Sequence, residues 1–270
     1  MARDRRMSLA DAAGLVADGS KIGFGGNWGL SRRPVAFASE LIRQGRTGLQ
    51  VHGILNGIEA DLLIGAGAVA STTSSYVGLD ELGQAPNWQR AAATGAIEVH
   101  EYSEWMITAG YRAANMALPY LPWITSRHSD LARPLGLKEV ECPYTGIPLL
   151  AVRALNLDVA VIQATRCDAE GNTELALPLD HMYDVDALIA RSAQVVIVCA
   201  EEIGEVDHNR VQLVGREVHA VVEAPRGAWP GAMRPLYGVD RAHVADTYIP
   251  AAAGGGFAAY LETYVFGRAA

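Results

Sequence analysis

Two kinds of residue in this chain could do chemistry together: a glycine turn flanked by arginines, and carboxylates placed where strands hand over to helices. The turn is residues 21–34, KIGFGGNWGLSRRP. Gly25 and Gly26 carry no side chain, so main-chain N–H groups there can face a ligand closely. A helix starting after Pro34 would add a partly positive end. Arg32 and Arg33 bring two full charges, which favours an anionic partner such as a phosphate, a carboxylate or a thioester oxygen. With Asn27 and Trp28 these residues form the candidate substrate-binding set. The same pattern also makes a sharp strand-to-helix connection with solvated arginines, and a short glycine loop does not choose between the two.

The carboxylates are Glu104, at the start of a helix, and Asp80, in the loop after a strand. In a parallel sheet both fall at the carboxyl ends of strands, the side on which open α/β sheets bind ligands. A carboxylate can attack a thioester to give a mixed anhydride, or act as general base on water, and closure against solvent strengthens it as a base. A glutamate in a first helical turn is equally a routine partner of the helix dipole. Glu201-Glu202 is a second pair, with a solvated loop as its other meaning. Metal chemistry has no motif: there is no CxxC and no HExxH, and the seven histidines are scattered. Neither a G-x-S-x-G elbow nor a Walker loop is present. Cys199 sits in an apolar run and reads as core packing, whereas Cys142 and Cys167 fall in turn-rich stretches.

The elements that must position these groups follow from periodicity. Ser8 caps a first helix that ends at Asp18-Gly19. A strand over 21–24 feeds the glycine turn, and a helix over 35–43 follows it. Strands are expected at 49–54, 71–77 and 96–99, and helices at 59–64, at 88–93 and from Ser103. Residues 65–70, GAGAVA, match a dinucleotide fingerprint formally, but a helical segment stands where its strand should be. Residues 125–148 hold three prolines and two glycines and read as an irregular excursion. Strands resume at 149–152 and 157–164, Asp168 to Asn172 makes a turn, a helix covers 181–193, and strands follow at 194–199 and 219–223. Residues 240–270 read as a peripheral tail on one domain spanning the chain. Alternating strands and helices imply an α/β fold, a mainly parallel open sheet with helices on both faces.

Half of the 270 residues are apolar and 19% are charged, enough for a sizeable core. The formal charge of −8 and the absence of a basic face exclude a nucleic-acid binder. Three cysteines are too few for a disulfide framework and suit a reducing, cytoplasmic setting. No apolar run reaches membrane-spanning length.

Several segments, in this order, resemble the α subunit of the family I coenzyme A transferases, the glutaconate and 3-oxoacid type. They are Gly23-Phe24-Gly25-Gly26 with Arg32-Arg33-Pro34, Leu63-Ile64-Gly65-Ala66-Gly67, Glu101-Tyr102-Ser103, Leu118-Pro119-Tyr120-Leu121-Pro122, residues 158–164 with 168–172, and residues 221–230. The resemblance implies a CoA-transferase or NagB-like sheet paired with a homologous β subunit as a heterodimer or heterotetramer. It further implies an active site between the subunits and a coenzyme A thioester as substrate rather than a tightly bound cofactor. In transferases of this family the nucleophilic glutamate belongs to the β half.

A subgroup is still more similar: the steroid-ring-opening hydrolases of cholesterol degradation. Its counterparts here are Trp28-Gly29-Leu30-Ser31-Arg32-Arg33, Gly78-Leu79-Asp80, and Gly95-Ala96-Ile97-Glu98 through Glu101 to Glu104. That resemblance implies Glu104 as acid/base for hydrolytic carbon–carbon cleavage of a cyclic keto acyl-CoA. Leu30 lengthens the spacing after Trp28, and Gly78 stands where the subgroup has serine, so hydrolysis and CoA transfer both stay open. A metabolite-binding regulatory module on the same fold is the non-catalytic alternative, and a scaffold subunit is a third.

Overall fold

The computed structural model describes residues 3–125, 129–176 and 183–267. The helices are α1 (Leu9–Ala13), α2 (Val35–Arg43), α3 (Ile58–Gly65), α4 (Pro86–Thr94), α5 (Glu104–Asn115), α6 (Tyr183–Arg191), α7 (Ile249–Gly254) and α8 (Phe257–Leu261). The strands are β1 (Lys21–Phe24), β2 (Leu49–His52), β3 (Leu55–Asn56), β4 (Val69–Ser74), β5 (Tyr76–Val77), β6 (Glu98–Glu101), β7 (Tyr120–Trp123), β8 (Lys138–Glu141), β9 (Pro148–Arg153), β10 (Leu157–Cys167), β11 (Thr173–Glu174), β12 (Ala193–Ile203) and β13 (Ala220–Glu223).

The main sheet runs β13-β12-β10-β1-β2-β4-β6, with every neighbouring pair parallel and β11 antiparallel on β10. Helices cover both faces, as the alternation expects. Along β10, Val159 and Val161 point into one core with α2, α3 and α4, while Ala160, Ile162 and Ala164 point into a second with α5 and α6. Each large apolar side chain so buried contributes roughly 1.5–3 kcal/mol relative to exposure. Local signals set the helix starts. The Ser8 hydroxyl accepts from the Asp11 N–H, Ser103 accepts from the Met106 N–H, and Pro86 opens α4.

Several expectations are corrected. Helix α1 ends at Gly14, one turn after it starts. The excursion at 125–148 is not wholly irregular, because Lys138–Glu141 pairs with β9 and forms β8 of an antiparallel sheet β7-β9-β8. The apolar run at 149–152 therefore belongs to that small sheet and not to the main one. The segment after residue 240 is not peripheral: Val244, Tyr248, Ala252 and Val265 are each at most 1% exposed and join the first core. Pro250 falls where a π-helical segment, His243–Tyr248, passes without a break into α7. Of the helix expected over 181–193, residues 181 and 182 lie outside the described residues, as do 268–270 of the tail and 126–128 of the excursion. Cys167, expected in a turn, is the buried end of β10, and burial pushes its thiol, like that of Cys199, up to about 12. Among the described residues no helix is long and apolar enough to cross a membrane.

One buried polar group carries a pH signature. His52 ends β2, only 6% exposed, with Nδ1 lacking a hydrogen-bond partner. Burial first, then the charges of Lys21 and His100, hold its imidazole down at about 4, below the ordinary 6.5. The folded chain thus keeps His52 neutral through a window in which the unfolded chain binds a proton. Stability from this group is intact above pH 6.5 and is lost as pH falls towards 4, by about 3 kcal/mol in total. In urea titrations across that window, His52→Gln should show a correspondingly flatter pH dependence than the native chain. Glu59, Asp61 and His219 also titrate abnormally, but they are common to both proteins and cancel in the difference. Parallel curves would contradict the assignment.

Candidate active site

Strands β1, β4 and β6 are parallel, so the loops leaving them meet along one edge of the sheet. The glycine turn after β1 does not offer the open cradle of amides that its sequence suggests. The Gly25 N–H donates to the Val161 carbonyl at 3.0 Å and the Gly26 N–H to Asp186 Oδ1 at 2.5 Å. Gly25 is required for a different close approach: a Cβ there would collide with Asp186 Oδ1. Further along, the Asn27 N–H donates to the Ser31 carbonyl, and the N–H groups of Gly29 and Leu30 donate to the two Asp80 oxygens at 2.6 and 3.0 Å. A two-bond ladder joins the loop to a later segment: Ala232 N–H to the Leu30 carbonyl and Arg32 N–H to the Ala232 carbonyl. The loop amides are therefore spent on the fold. Trp28, Arg32 and Asp80 adopt left-handed backbone with φ of 58°, 54° and 56°, a conformation that costs non-glycine residues of order 1–3 kcal/mol and persists where surroundings enforce it.

Neither arginine is solvated. Arg33 is fully buried beneath the loop, donating through Nε to the Trp28 carbonyl at 2.6 Å and through Nη1 to the Gly25 carbonyl at 3.2 Å. It faces Glu59 at 3.4 Å, whose carboxyl burial pushes up against the pull of that guanidinium. Arg33 thus stands outside the ligand space. Arg32 is 1% exposed and pairs through Nη1 with the Asp186 carboxylate, yet it lines a cleft.

That cleft measures about 1490 Å³. Asn27, Leu30 and Arg32 line it from the glycine turn, Tyr76, Asp80 and Glu81 from the loop after β4, and Glu101, Ser103 and Glu104 from the passage between β6 and α5. Residues 232–239 supply another wall with Arg234 and Tyr237. Asn27 is 3% exposed and its Oδ1 has no hydrogen-bond partner, an acceptor a ligand could satisfy. Trp28 is half exposed, and Glu104 is exposed in the first turn of α5. Glu104 can accordingly serve the helix dipole and face a bound molecule from the same position.

Asp80 lines the cleft with both oxygens committed to loop amides, and burial pushes its carboxyl up despite those bonds. It acts as the brace of the Trp28 turn. Tyr76 lies beside it: its ring packs over Gly78, where a Cβ would collide with the hydroxyl.

Of the expected site residues, Asn27, Trp28, Arg32, Asp80 and Glu104 come together in the cleft, and Gly25, Gly26 and Arg33 do not line it. Sequence reasoning missed Asp186, Tyr76 and the wall at 232–239. Glu201 proves not to be in a loop. It lies on β12 and accepts from Gln163 Nε2, from the Tyr237 hydroxyl and from the Arg226 N–H. Among the described residues no group of His, Cys, Asp and Glu could hold a metal ion.

A sequence model of the coenzyme A transferase family matches residues 6–224. The cholesterol ring-cleaving hydrolase IpdA subunit of Rhodococcus jostii is 34% identical over 250 residues, 88% of this chain and 84% of that protein. An uncharacterised protein of Archaeoglobus fulgidus is 31% identical over 98% of this chain, which spans 60% of that longer protein. Among solved structures, glutaconate coenzyme A-transferase from Acidaminococcus fermentans superposes with a TM-score of 0.89 at 28% identity, covering 98% of this chain and 90% of that one. The decarboxylase AibA/AibB, solved as a single-substitution variant, gives 0.87 at 30% identity, covering 97% and 100%.

The loop geometry makes stability predictions. Removing Arg33 leaves Glu59 as an uncompensated buried charge, so Arg33→Ala should cost about 3–5 kcal/mol. Asp80→Ala forfeits two charge-assisted hydrogen bonds and should cost about 2 kcal/mol. Urea unfolding of each variant measures both, and losses below about 0.5 kcal/mol would mean these groups are not what holds the turn.

Proposed function

This chain belongs to the coenzyme A transferase family, and from that premise we propose that it is the α-type subunit of a heteromeric enzyme acting on acyl-CoA thioesters. A homologous β-type subunit completes the cleft, and coenzyme A is part of the substrate. The observation that carries the reading is the sharing of one large cleft by Glu104, the Arg32 guanidinium and the Asn27 amide.

In the reading favoured here, Glu104 is the acid/base of a hydrolytic carbon–carbon cleavage of a cyclic keto acyl-CoA, and the Rhodococcus relative's name, a cholesterol ring-cleaving hydrolase subunit, supports a ring-opening hydrolysis. Glu104 takes a proton from water as the water oxygen adds to the ring ketone. The adjacent carbon–carbon bond then breaks, its electron pair delocalising onto a neighbouring carbonyl as an enolate, and Glu104 returns the proton to carbon. Water is consumed as hydroxyl on one fragment and hydrogen on the other. Arg32 stands on the floor where the oxyanion develops, and a donor fixed in advance at such a position stabilises the transition state more than the ground state. Trp28, at the rim, offers a face for the apolar part of the acyl group.

An exposed carboxylate is a modest base, and burial against a partner surface strengthens it. This supports a lone chain that is catalytically incompetent. CoA transfer remains the second reading, supported by the close superposition on glutaconate CoA-transferase; there the reacting carboxylate would come from the β-type subunit and Glu104 would be dispensable.

Co-expression with the β-type partner should produce turnover of an acyl-CoA that the lone chain lacks. In the complex, Glu104→Gln should lower kcat by roughly 10²–10⁴-fold if the residue is the acid/base. Full activity of that variant would remove the hydrolytic reading and leave transfer. Binding of acyl-CoA by the complex without any turnover would overturn both in favour of a regulatory module.

A further inference from the structure

We propose that Asp186 is a positioning residue for the cation of the cleft: by holding Arg32 and the Gly26 amide together, its carboxylate fixes the guanidinium on the cleft floor. The proposal rests on the reading above, in which negative charge develops beside Arg32.

Four features of the fold point to it. Arg32 is a long side chain that in solution would sample many rotamers, yet here it is 1% exposed and still lines the cleft. Asp186 is itself unexposed and divides its oxygens, one to the Gly26 N–H and the other to Arg32 Nη1. Its own place is set by packing rather than by solvent, because Val185, Ala187 and Ile189 of the same helix are buried in the second core. Finally, the backbone of the turn is shaped around this carboxylate: Gly25 has no Cβ where one would clash with Asp186 Oδ1, and Arg32 itself takes a φ of 54°. A solvated strand-to-helix turn has no use for these constraints.

The physical consequence concerns direction rather than net charge. An arginine paired with a carboxylate is close to neutral as a unit, and its effect on a nearby oxyanion comes from N–H groups aimed at fixed points. Asp186 supplies that aim. It touches neither the substrate space nor, on this geometry, the reacting atoms, so its loss should appear in the chemical step more than in binding.

The test has two independent arms. In the co-expressed complex, with an acyl-CoA that the native enzyme turns over, Asp186→Asn should lower kcat on the order of 10²-fold per folded complex, while KM changes by less than about threefold. Asp186→Glu, which keeps the charge on a longer arm, should recover part of that loss. Asp186→Asn combined with Arg32→Lys should be no worse than the more severe single variant, because both act through one guanidinium. In the second arm, ¹⁵N side-chain NMR of the full-length chain without substrate follows the Arg32 Nε–H. It should be ordered and slowly exchanging in the native chain, and averaged and fast-exchanging in Asp186→Asn. An Arg32 resonance unchanged in Asp186→Asn overturns the proposal, as does native kcat in that variant or additive losses in the double variant. If the native complex turns over no acyl-CoA, the functional reading fails by itself, and the NMR arm still decides whether Asp186 positions Arg32.

Discussion

Two consecutive arginines, both buried, hold the site in place. The left-handed backbone at Arg32 turns the chain between the two side chains, and one guanidinium goes into each helical layer. Arg32 reaches Asp186 on α6, whose neighbours pack in the second core. Arg33 reaches Glu59 on α3, whose neighbours pack in the first. A buried guanidinium without a carboxylate is costly, so neither helix can shift independently of the turn. The turn is pinned to both layers, and Asp80 grips its tip from a third side. Flexibility, the usual reason for glycine in such a loop, has little part here; at Gly25 the missing Cβ admits a carboxylate.

This arrangement separates two jobs that look alike in the sequence. Gly25, Gly26 and Arg33 build the turn, while Asn27, Trp28 and Arg32 present it to the cleft. Glu104 arrives from another direction, at the first turn of a helix that follows the exposed edge strand β6. Floor and carboxylate follow different strands of one sheet, β1 and β6. Among the described residues Glu104 has no cover, and the exposed aromatic surface of Trp28 and Trp105 stands at that same rim or next to it in sequence.

Much of the fold was legible from periodicity. The strands at 21–24 and 157–164 and the helix over 35–43 read directly, because both faces of those strands are buried and the helix has one apolar face. The strand expected at 96–99 instead runs from Glu98 to Glu101, paired with Ser71–Ser74. All four of its residues are exposed, so no buried face fixed its register in the sequence. The tail was misread because Pro250 and the triple glycine look like breakers, whereas the chain stays helical through Pro250 and the glycines only part α7 from α8, with Tyr248, Phe257 and Tyr260 buried. Within the site, Glu104, Arg32 and Asp80 were found by residue type beside the glycine turn. Asp186 was invisible: it lies 154 residues from Arg32, and in sequence it is an ordinary acid in the first turn of a helix. That Asp80 braces rather than binds could not be read either, since only coordinates show which amides its oxygens accept.

Under the proposed function, one cleft brings a fixed cation and a carboxylate to the reacting end of an acyl-CoA. The most direct measurement is a crystal structure of the two-subunit complex with a non-hydrolysable acyl-CoA analogue. It should place the acyl carbonyl oxygen about 3 Å from the Arg32 guanidinium, with Glu104 covered by the partner and within hydrogen-bond reach of the reacting carbon's water. An analogue seated elsewhere, with Glu104 still open to solvent in the assembled complex, would contradict it.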